Sequence, residues 1–365
     1  MAFDSFYDGY LICVLNWGLG HATRCIPIIE KLQCENKRVV IASDGASLDL
    51  LKHEYPGINT YELPSYNVTY SQNTDQLFHL IKQIPKFAIA RYKEHQAIED
   101  IILKERIGYI ISDNRYGCWH PECKNYIIAH QLKPILTGKY KFFQFGLEIL
   151  MMSLFSDFDE IWIPDDENIK LSGELSELRI EDKKYIGLLS RMKHTEVRNE
   201  YPIDILFILS GPEPQRSKLE QIILQQTPSL KTLNCLLVKG VVGDIKEEMI
   251  TETFKVVSWL DTEYLQDAIS KSKYIICRSG YSSIMDLAVM GKKAILIPTP
   301  GQSEQEYLAK QLHDKKIFYC CSQDQLNILD VLNRIEEYSG YKPALKKSNL
   351  SILNKLYEMQ ESSIK

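Results

Sequence analysis

Three observations predict an α/β fold built from two doubly wound domains with parallel sheets. The chain has 365 residues, which is too long for one compact core and suits two domains. Short runs of β-branched or aromatic residues alternate with amphipathic stretches of helical length along the whole chain. Those runs are almost continuously apolar, as parallel strands require when helices cover both faces of their sheet. Each half of the chain therefore predicts one Rossmann-like domain.

The strand candidates fall into two sets. In the first half they are residues 10–15, 38–42, 58–62, 109–112, 126–129 and 160–163. In the second half they are residues 204–209, 235–239, 254–257, 273–277, 294–297 and 317–320. The stretch between Pro164 and Pro202 is polar and rich in charge, which predicts the domain boundary there. We therefore predict an N-terminal domain at 1–185, a C-terminal domain at 186–345 and a terminal helix at 346–365.

Composition and charge narrow the class of partner. The 43 Lys+Arg and 48 Asp+Glu residues leave a net charge of -5, which argues against nucleic acid and favours a small molecule. The N-terminal residues MAFDSFYDGY lack the features of a secretory signal, and the apolar stretch 142–158 is too short to span a bilayer. The nine cysteines, an odd number, are expected to be buried free thiols in a reducing compartment. These observations predict a cytoplasmic location.

The first strand candidate ends in a glycine-rich turn, residues 16–21 (NWGLGH), which opens a helical pattern. Gly18 and Gly20 allow the backbone to approach a ligand closely, and the helix start offers N–H groups to an anion. His21 adds a side chain that titrates near neutral pH. The turn lacks the third glycine of dinucleotide-binding loops. A tight turn with a capping histidine is the alternative interpretation.

A second turn of small residues follows the strand candidate at 273–277 and opens another helix. Its small or polar residues are Arg278, Ser279, Gly280, Ser282 and Ser283. Backbone N–H groups and serine hydroxyls in such a turn are suited to hold a diphosphate. Asp286 comes about one turn into the helix, where it could accept hydrogen bonds from a ribose diol. The alternative is a capped helix with an early acidic residue that favours its dipole.

Three further segments follow neighbouring strand candidates. They contribute Ser210, Gly211 and Arg216 after 204–209, Trp259 and Leu260 after 254–257, and Gln305 and Glu306 after 294–297. The first segment suits phosphates, the second could stack on a base, and the third offers amide and carboxylate groups. A buried tryptophan is the common alternative for the second. Since ligands bind at the carboxyl ends of parallel strands, the segments together predict a nucleotide-binding site.

These motifs resemble those of the GT-B glycosyltransferases related to the enzyme that adds N-acetylglucosamine in peptidoglycan synthesis. Residues 18–21 are similar to the glycine-histidine loop of that group, and residues 278–291 to its C-terminal motif. The resemblance implies that Asp286 binds the ribose of UDP and that Gln305 contacts the donor sugar. Glu306 departs from the second glutamine of the group. The resemblance also implies two domains that face each other across a cleft, the first for the acceptor and the second for the nucleotide-sugar.

The loop at 18–25 also resembles the opening loop of the nucleotide-sugar hydrolases of pseudaminic acid synthesis. In those enzymes the histidine helps to activate water, so this resemblance implies hydrolysis instead of transfer. A protein that binds a nucleotide-sugar without catalysis is a third interpretation. We expect a hexosyltransferase-type enzyme, because the motifs of the second half follow the glycosyltransferases across three loops.

The expected chemistry requires no metal or other cofactor, since no Asp-x-Asp motif ends an apolar strand candidate. Helix N-termini, hydroxyls and the guanidinium of Arg278 or Arg216 would stabilise the leaving diphosphate. A base would deprotonate the acceptor hydroxyl for direct displacement with inversion. His21 is the first choice for that base. Asp113, after the strand candidate at 109–112, is the second.

Other segments support weaker hypotheses. Cys118, His120 and Cys123 supply too few ligands for a typical zinc site. His130 follows the strand candidate at 126–129 and is expected on the acceptor side. The segment 82–106 mixes basic and apolar residues and could lie on an anionic membrane that carries a lipid-linked acceptor. An amphipathic helix with a solvated basic face is the favoured interpretation.

Overall fold

The fold is described from a computed structural model, in residues 7–66, 76–136, 138–194, 201–241 and 243–341. Two compact units divide between Gly187 and Leu188, inside the stretch from Pro164 to Pro202. The terminal helix predicted at 346–365 lies outside the described residues.

The N-terminal domain is built on a seven-stranded sheet. Its strands are β1 (Gly9–Val14), β2 (Val39–Ser43), β3 (Asn59–Glu62), β4 (Ile107–Asp113), β5 (Lys124–Ile128), β6 (Glu160–Ile163) and β7 (Lys183–Tyr185). Its α-helices are α1 (Leu19–Cys34), α2 (Gly45–Glu54), α3 (Gln76–Glu105) and α4 (Gln144–Phe155). The strand order is β3-β2-β1-β4-β5-β6-β7, and every pair is parallel. Every residue of β1 is buried, which explains its uninterrupted apolar sequence.

The C-terminal domain repeats this architecture. Its strands are β8 (Ile203–Ile208), β9 (Cys235–Val238), β10 (Glu247–Thr251), β11 (Phe254–Val257), β12 (Ser272–Cys277), β13 (Ile295–Leu296) and β14 (Tyr319–Cys320). Its α-helices are α5 (Gln215–Leu224), α6 (Thr262–Lys271), α7 (Tyr281–Val289), α8 (Ser303–Asp314) and α9 (Ile328–Arg334). The order is β10-β11-β9-β8-β12-β13-β14, parallel except for the edge pair β10–β11.

The predicted α/β class with two Rossmann-like, parallel-dominated sheets is confirmed, and every predicted strand is present. Two strands, β7 and β10, were missing from the prediction. Both lie at a sheet edge, where β7 is half-buried and most of β10 is exposed. An edge strand has one hydrogen-bonded neighbour and tolerates charged side chains, so the sequences KKY and EEMIT carry no apolar run. The antiparallel pairing of β10 is a departure from the all-parallel prediction.

The long helix α3 contains most of the segment considered for membrane binding. Its residues Ile98, Ile101 and Ile102 are buried in one cluster with Leu11 and Ile110, as an amphipathic helix on a sheet requires. Among the described residues, no helix is long and apolar enough to cross a membrane.

Both sheets have a topological switch point, where the chain reverses its direction of winding. In the first sheet this point lies between β1 and β4, and in the second between β8 and β12. Open α/β sheets bind ligands outside the carboxyl ends of the strands at such a point. The loops that follow these four strands carry most of the predicted site residues.

Candidate functional site

His21 and Asp113 lie together at the switch point of the first sheet. The last residue of β1, Val14, pairs with Asp113 at the end of β4. Gly18 precedes α1 with a φ of 97°, a left-handed conformation that favours glycine, and His21 then falls in the first turn of the helix. Nδ1 of His21 lies 2.7 Å from Oδ1 of Asp113. The two candidates for the base are therefore direct hydrogen-bond partners.

This hydrogen bond orients the imidazole. A carboxylate can only accept, so Nδ1 of His21 carries the proton and Nε2 presents its lone pair. The side chain of His21 is 14% exposed and that of Asp113 is 0% exposed, so a solute can reach the ring but not the carboxylate. Burial lowers the pKa of His21, and the neighbouring carboxylate offsets part of this effect. The ring is therefore neutral at neutral pH and can accept a proton at Nε2.

Arg24 fixes Asp113 from the other side. Its Nε and Nη2 atoms donate to the two carboxylate oxygens, and its Nη1 atom contacts Nδ1 of His130 at 3.0 Å. Burial alone would raise the pKa of Asp113, but Arg24 and His21 beside it hold that pKa well below its usual value. Asp113 is therefore ionised across the neutral range.

These contacts bear on the choice of base and add one residue. Asp113 was the second choice for the base, but both of its oxygens are engaged within the fold and it is completely buried. The geometry therefore favours His21, the more exposed of the two candidates. Arg24 had no predicted role, although it lies three residues after His21 and therefore on the same face of α1. His130 joins the same cluster through Arg24.

In the C-terminal domain, Arg278 and Ser279 lie beneath the loops and do not face a ligand. Both are 0% exposed. The guanidinium donates to the backbone carbonyls of Gln215, Ile297 and Pro298 and to the side chain of Gln323. The Ser279 hydroxyl donates to the backbone carbonyl of Gln305 at 2.9 Å. The structure thus corrects the direct diphosphate contact predicted for these two side chains: they hold three loops in position.

The turn above these residues keeps the features of an anion site. Gly280 is the N-cap residue of α7, and no side chain caps the helix, so the positive end of the helix dipole lies at this turn. Ser282 and Ser283 occupy the first helical turn and are half-buried. Ser210 and Gly211 follow β8, where Gly211 has a φ of 92°. This left-handed turn favours glycine and exposes the backbone to close approach.

Two of the predicted site residues, Arg216 and Trp259, already form contacts within the protein. Arg216 forms an ion pair with Glu213, with Nη2 and Oε1 2.7 Å apart. A phosphate would therefore have to share this guanidinium. The indole N–H of Trp259 donates to the backbone carbonyl of Gly243, which fixes the ring after β11. Trp259 and Leu260 are both partly exposed, as a surface for stacking on a base requires.

Gln305 and Glu306 hold the loop that precedes α8. Oε1 of Gln305 accepts the N–H of Thr299, and Oε1 of Glu306 accepts the N–H of Gly301, both at 2.9 Å. Each side chain retains a second polar atom. Both side chains therefore stabilise the loop, and a substitution of Gln305 or Glu306 would also change the conformation of that loop.

Asp286 lies in the second turn of α7 and is held by a residue that the sequence did not indicate. Its Oδ1 atom accepts a hydrogen bond from the Ser190 hydroxyl at 2.5 Å. Burial raises the pKa of Asp286 to about 6, although Arg191 and Ser190 oppose the shift. The carboxylate is therefore mostly ionised at neutral pH. Ser190 precedes Asp286 by 96 residues in a polar stretch, so no local pattern relates the two.

Comparison with known proteins identifies the fold. Residues 205–361 match the Glycosyltransferase family 28 C-terminal domain. The structure of MurG from Acinetobacter baumannii is similar over 96% of this chain and 99% of that one, with a TM-score of 0.57 at 12% identity. The glycotransferase of kitacinnamycin is similar over 98% and 99%, with a TM-score of 0.63 at 13% identity. The chain has the GT-B fold.

Sequence relatives of this GT-B protein are glycosyltransferases. The UDP-N-acetylglucosamine--N-acetylmuramyl-(pentapeptide) pyrophosphoryl-undecaprenol N-acetylglucosamine transferase of Rickettsia felis is 27% identical over 172 residues. The match covers 44% of this chain and 47% of the relative, so it spans about half of that protein. The predicted resemblance to the peptidoglycan N-acetylglucosaminyltransferase group is confirmed, and these matches support a glycosyltransferase.

Proposed function

We propose that this protein transfers a sugar from a UDP-linked donor to an acceptor hydroxyl, with inversion and without a metal. The observation that carries the proposal is the neutral, partly exposed imidazole of His21, oriented by Asp113, in a chain that also matches a glycosyltransferase domain. Transfer needs both a base for the acceptor and a site for the donor. The two domains offer one each.

The donor nucleotide is assigned to the C-terminal domain. The dipole of α7 and the backbone around Gly211 suit a diphosphate, Asp286 suits the ribose hydroxyls, and Trp259 suits the base. The diphosphate charge can be stabilised by the helix N-terminus and by Arg216, so the reaction does not require a divalent ion. Gln305 and Glu306 are the proposed sugar contacts.

The acceptor hydroxyl is activated by the N-terminal domain. His21 removes the hydroxyl proton at Nε2, the oxygen forms a bond to the anomeric carbon, and the bond to the diphosphate breaks on the opposite face. This displacement inverts the configuration. The positive charge that forms on the ring is stabilised by Asp113, as an imidazolium next to a buried carboxylate would be.

The relatives suggest which molecules to test. The name of the Rickettsia felis relative contains UDP-N-acetylglucosamine as donor and an undecaprenol-linked muramyl pentapeptide as acceptor. We propose a glycan or lipid-linked acceptor of this kind and a cytoplasmic location. Hydrolysis of the donor is the second candidate function, since an accessible imidazole can also activate water.

Calorimetric titration with UDP, UMP and dTDP tests the donor site. UDP should bind, and the Asp286→Ala variant should bind it about 1–3 kcal/mol more weakly, because a ribose hydroxyl loses its partner. Asp330→Ala removes an exposed carboxylate of α9 and should leave UDP affinity unchanged. Equal UDP affinity of the native protein and a folded Asp286→Ala variant would remove Asp286 from the site.

A further inference from the structure

The first residues of the C-terminal domain, 188–194, form a strap that lies across two of its helices. Arg191 donates to the Thr262 hydroxyl of α6 at 2.8 Å, and the N–H of Lys193 donates to the Gln266 side chain of the same helix at 2.7 Å. His194 contacts the carbonyl of Val289 in α7 at 3.2 Å. These contacts hold the strap against α6 and α7 immediately after Ser190.

Ser190 is the residue of this strap that contacts Asp286. It is 4% exposed, and its hydroxyl donates to Oδ1 of Asp286. The hydroxyl oxygen of Ser190 in turn accepts the N–H of Met192 at 3.0 Å. Because the backbone N–H supplies a donor to the hydroxyl oxygen, the hydroxyl proton is directed to the carboxylate. The direction of this short chain of hydrogen bonds is therefore set by the strap.

One carboxylate oxygen of Asp286 is thereby engaged and the other is not. Among the described residues, no hydrogen-bond donor contacts Oδ2, and the side chain is partly exposed. A carboxylate with two free oxygens could rotate, whereas a hydrogen bond of 2.5 Å to one oxygen restricts that rotation. The remaining oxygen then faces a ligand in a defined direction, which lowers the entropy lost on binding.

We propose that Ser190 is a positioning residue of the nucleotide site. Its hydroxyl holds Oδ1 of Asp286, which orients Oδ2 toward the ribose. This inference rests on the proposed function, in which Asp286 binds ribose. Ser190 itself does not touch the nucleotide. The proposal thus places a residue of the nucleotide site in the strap, which precedes β8, the first strand of the C-terminal domain.

The pH dependence of binding provides a readout that a purely structural role would not change. The charged and titratable groups near Asp286 are Arg191 on the strap and Cys277 at the end of β12. Burial raises the pKa of Asp286 to about 6, and the Ser190 hydrogen bond lowers it. Ionised Asp286 accepts a ribose hydroxyl through Oδ2, so affinity should fall as the pH drops through about 6. Without the Ser190 hydroxyl this fall should move to higher pH.

The experiment measures UDP affinity by calorimetry between about pH 5 and pH 8 for five proteins: the native protein, Asp286→Ala and three serine variants. Ser190→Ala should bind UDP about tenfold more weakly at neutral pH and lose affinity at a higher pH than the native protein. Ser190→Thr keeps the hydroxyl and should restore the native profile. Ser229→Ala removes a hydroxyl that donates to the carbonyl of Gln226 on the surface, and should match the native protein.

The outcomes separate the inference from the function on which it rests. If Asp286→Ala binds UDP like the native protein, the proposed donor site fails. If Asp286→Ala loses affinity while Ser190→Ala keeps the native affinity and pH profile, the positioning role of Ser190 is overturned and the donor site stands. A Ser190→Ala variant that melts earlier but binds with an unshifted pH profile also overturns the role.

Discussion

The imidazole of His21 gains its chemistry from two neighbours that have no contact with solvent. Asp113 fixes the proton on Nδ1, and Arg24 keeps Asp113 ionised through a bidentate contact. Burial lowers the pKa of His21, Asp113 raises it, and Arg24 lowers it further. A base must be neutral to accept a proton and must still be basic enough to remove one. Burial and these two neighbouring charges together set the pH range in which His21 could act.

Replacing His21 tests its role at the level of one side chain. His21→Ala should keep UDP affinity near the native value, because the nucleotide is assigned to the other domain, while turnover falls about 10²- to 10⁴-fold. Native turnover should decline on acidification through a pKa below the usual value for histidine, since burial lowers it. His53→Ala, which changes an exposed histidine of α2, serves as the control. Full turnover of His21→Ala would refute the assignment.

The sequence predicts some of these residues and cannot predict others. His21 and Asp113 were found because each follows a recognisable strand, and the ends of adjacent parallel strands converge. Arg278 and Ser279 were assigned to ligand contact because they follow a strand. Their burial beneath a loop has no signature in the local sequence. Ser190 was missed because its partner lies in a distant helix. Position along a strand is encoded locally, whereas contacts between loops are not.

At the scale of elements, a buried ion network holds the carboxyl edge of the first sheet. Arg115 is completely buried and donates to the carbonyls of Val14 and Pro64 and to the carboxylates of Asp44 and Glu94. Val14 ends β1, Asp44 and Pro64 follow β2 and β3, Glu94 belongs to α3, and Arg115 itself follows β4. A single guanidinium therefore connects the ends of four strands and a helix. The turn that leads into α1, the helix of His21, begins two residues after Val14.

Removing this guanidinium should destabilise the N-terminal domain. Arg115→Met leaves two buried carboxylates without their cation, at a cost of about 3–5 kcal/mol and a fall in melting temperature on the order of 10 °C. Arg38→Met breaks a pair with Glu105 in which the arginine is 40% exposed, and should change stability by less than about 1 kcal/mol. Thermal unfolding followed by circular dichroism compares the two variants. Equal melting temperatures would show that the network contributes no net stability.

At the scale of the whole molecule, the two domains share one architecture, and different tasks are proposed for them. Both sheets place their first strand at the switch point, as in β1 beside β4 and β8 beside β12, but the strand order on one side of that point differs: β3-β2-β1 in one sheet and β10-β11-β9-β8 in the other. The sequence predicts two doubly wound domains because central parallel strands must be apolar along their whole length. The prediction missed the edge strands β7 and β10, because an edge strand needs no apolar run. The two domains therefore differ in the side chains at their switch points and not in their fold. One switch point carries the imidazole of His21, and the other carries the proposed anion site.

The fate of the donor distinguishes transfer from hydrolysis for the complete protein. We predict that free sugar is released slowly from the proposed UDP-linked donor, and that the proposed acceptor raises donor consumption, because a transferase must keep water from the anomeric carbon. Both rates should be unchanged by EDTA, since helix dipole and guanidinium are assigned to the diphosphate. Sugar release and acceptor product are measured together by mass spectrometry, with His21→Ala as the inactive control. Rapid acceptor-free release would favour the hydrolase, and a loss of activity in EDTA that Mn²⁺ restores would overturn metal independence. Slow sugar release without acceptor, with donor consumption that rises when acceptor is added, requires a base that acts on the acceptor hydroxyl in preference to water. Persistence of both rates in EDTA requires a leaving diphosphate that the protein alone stabilises.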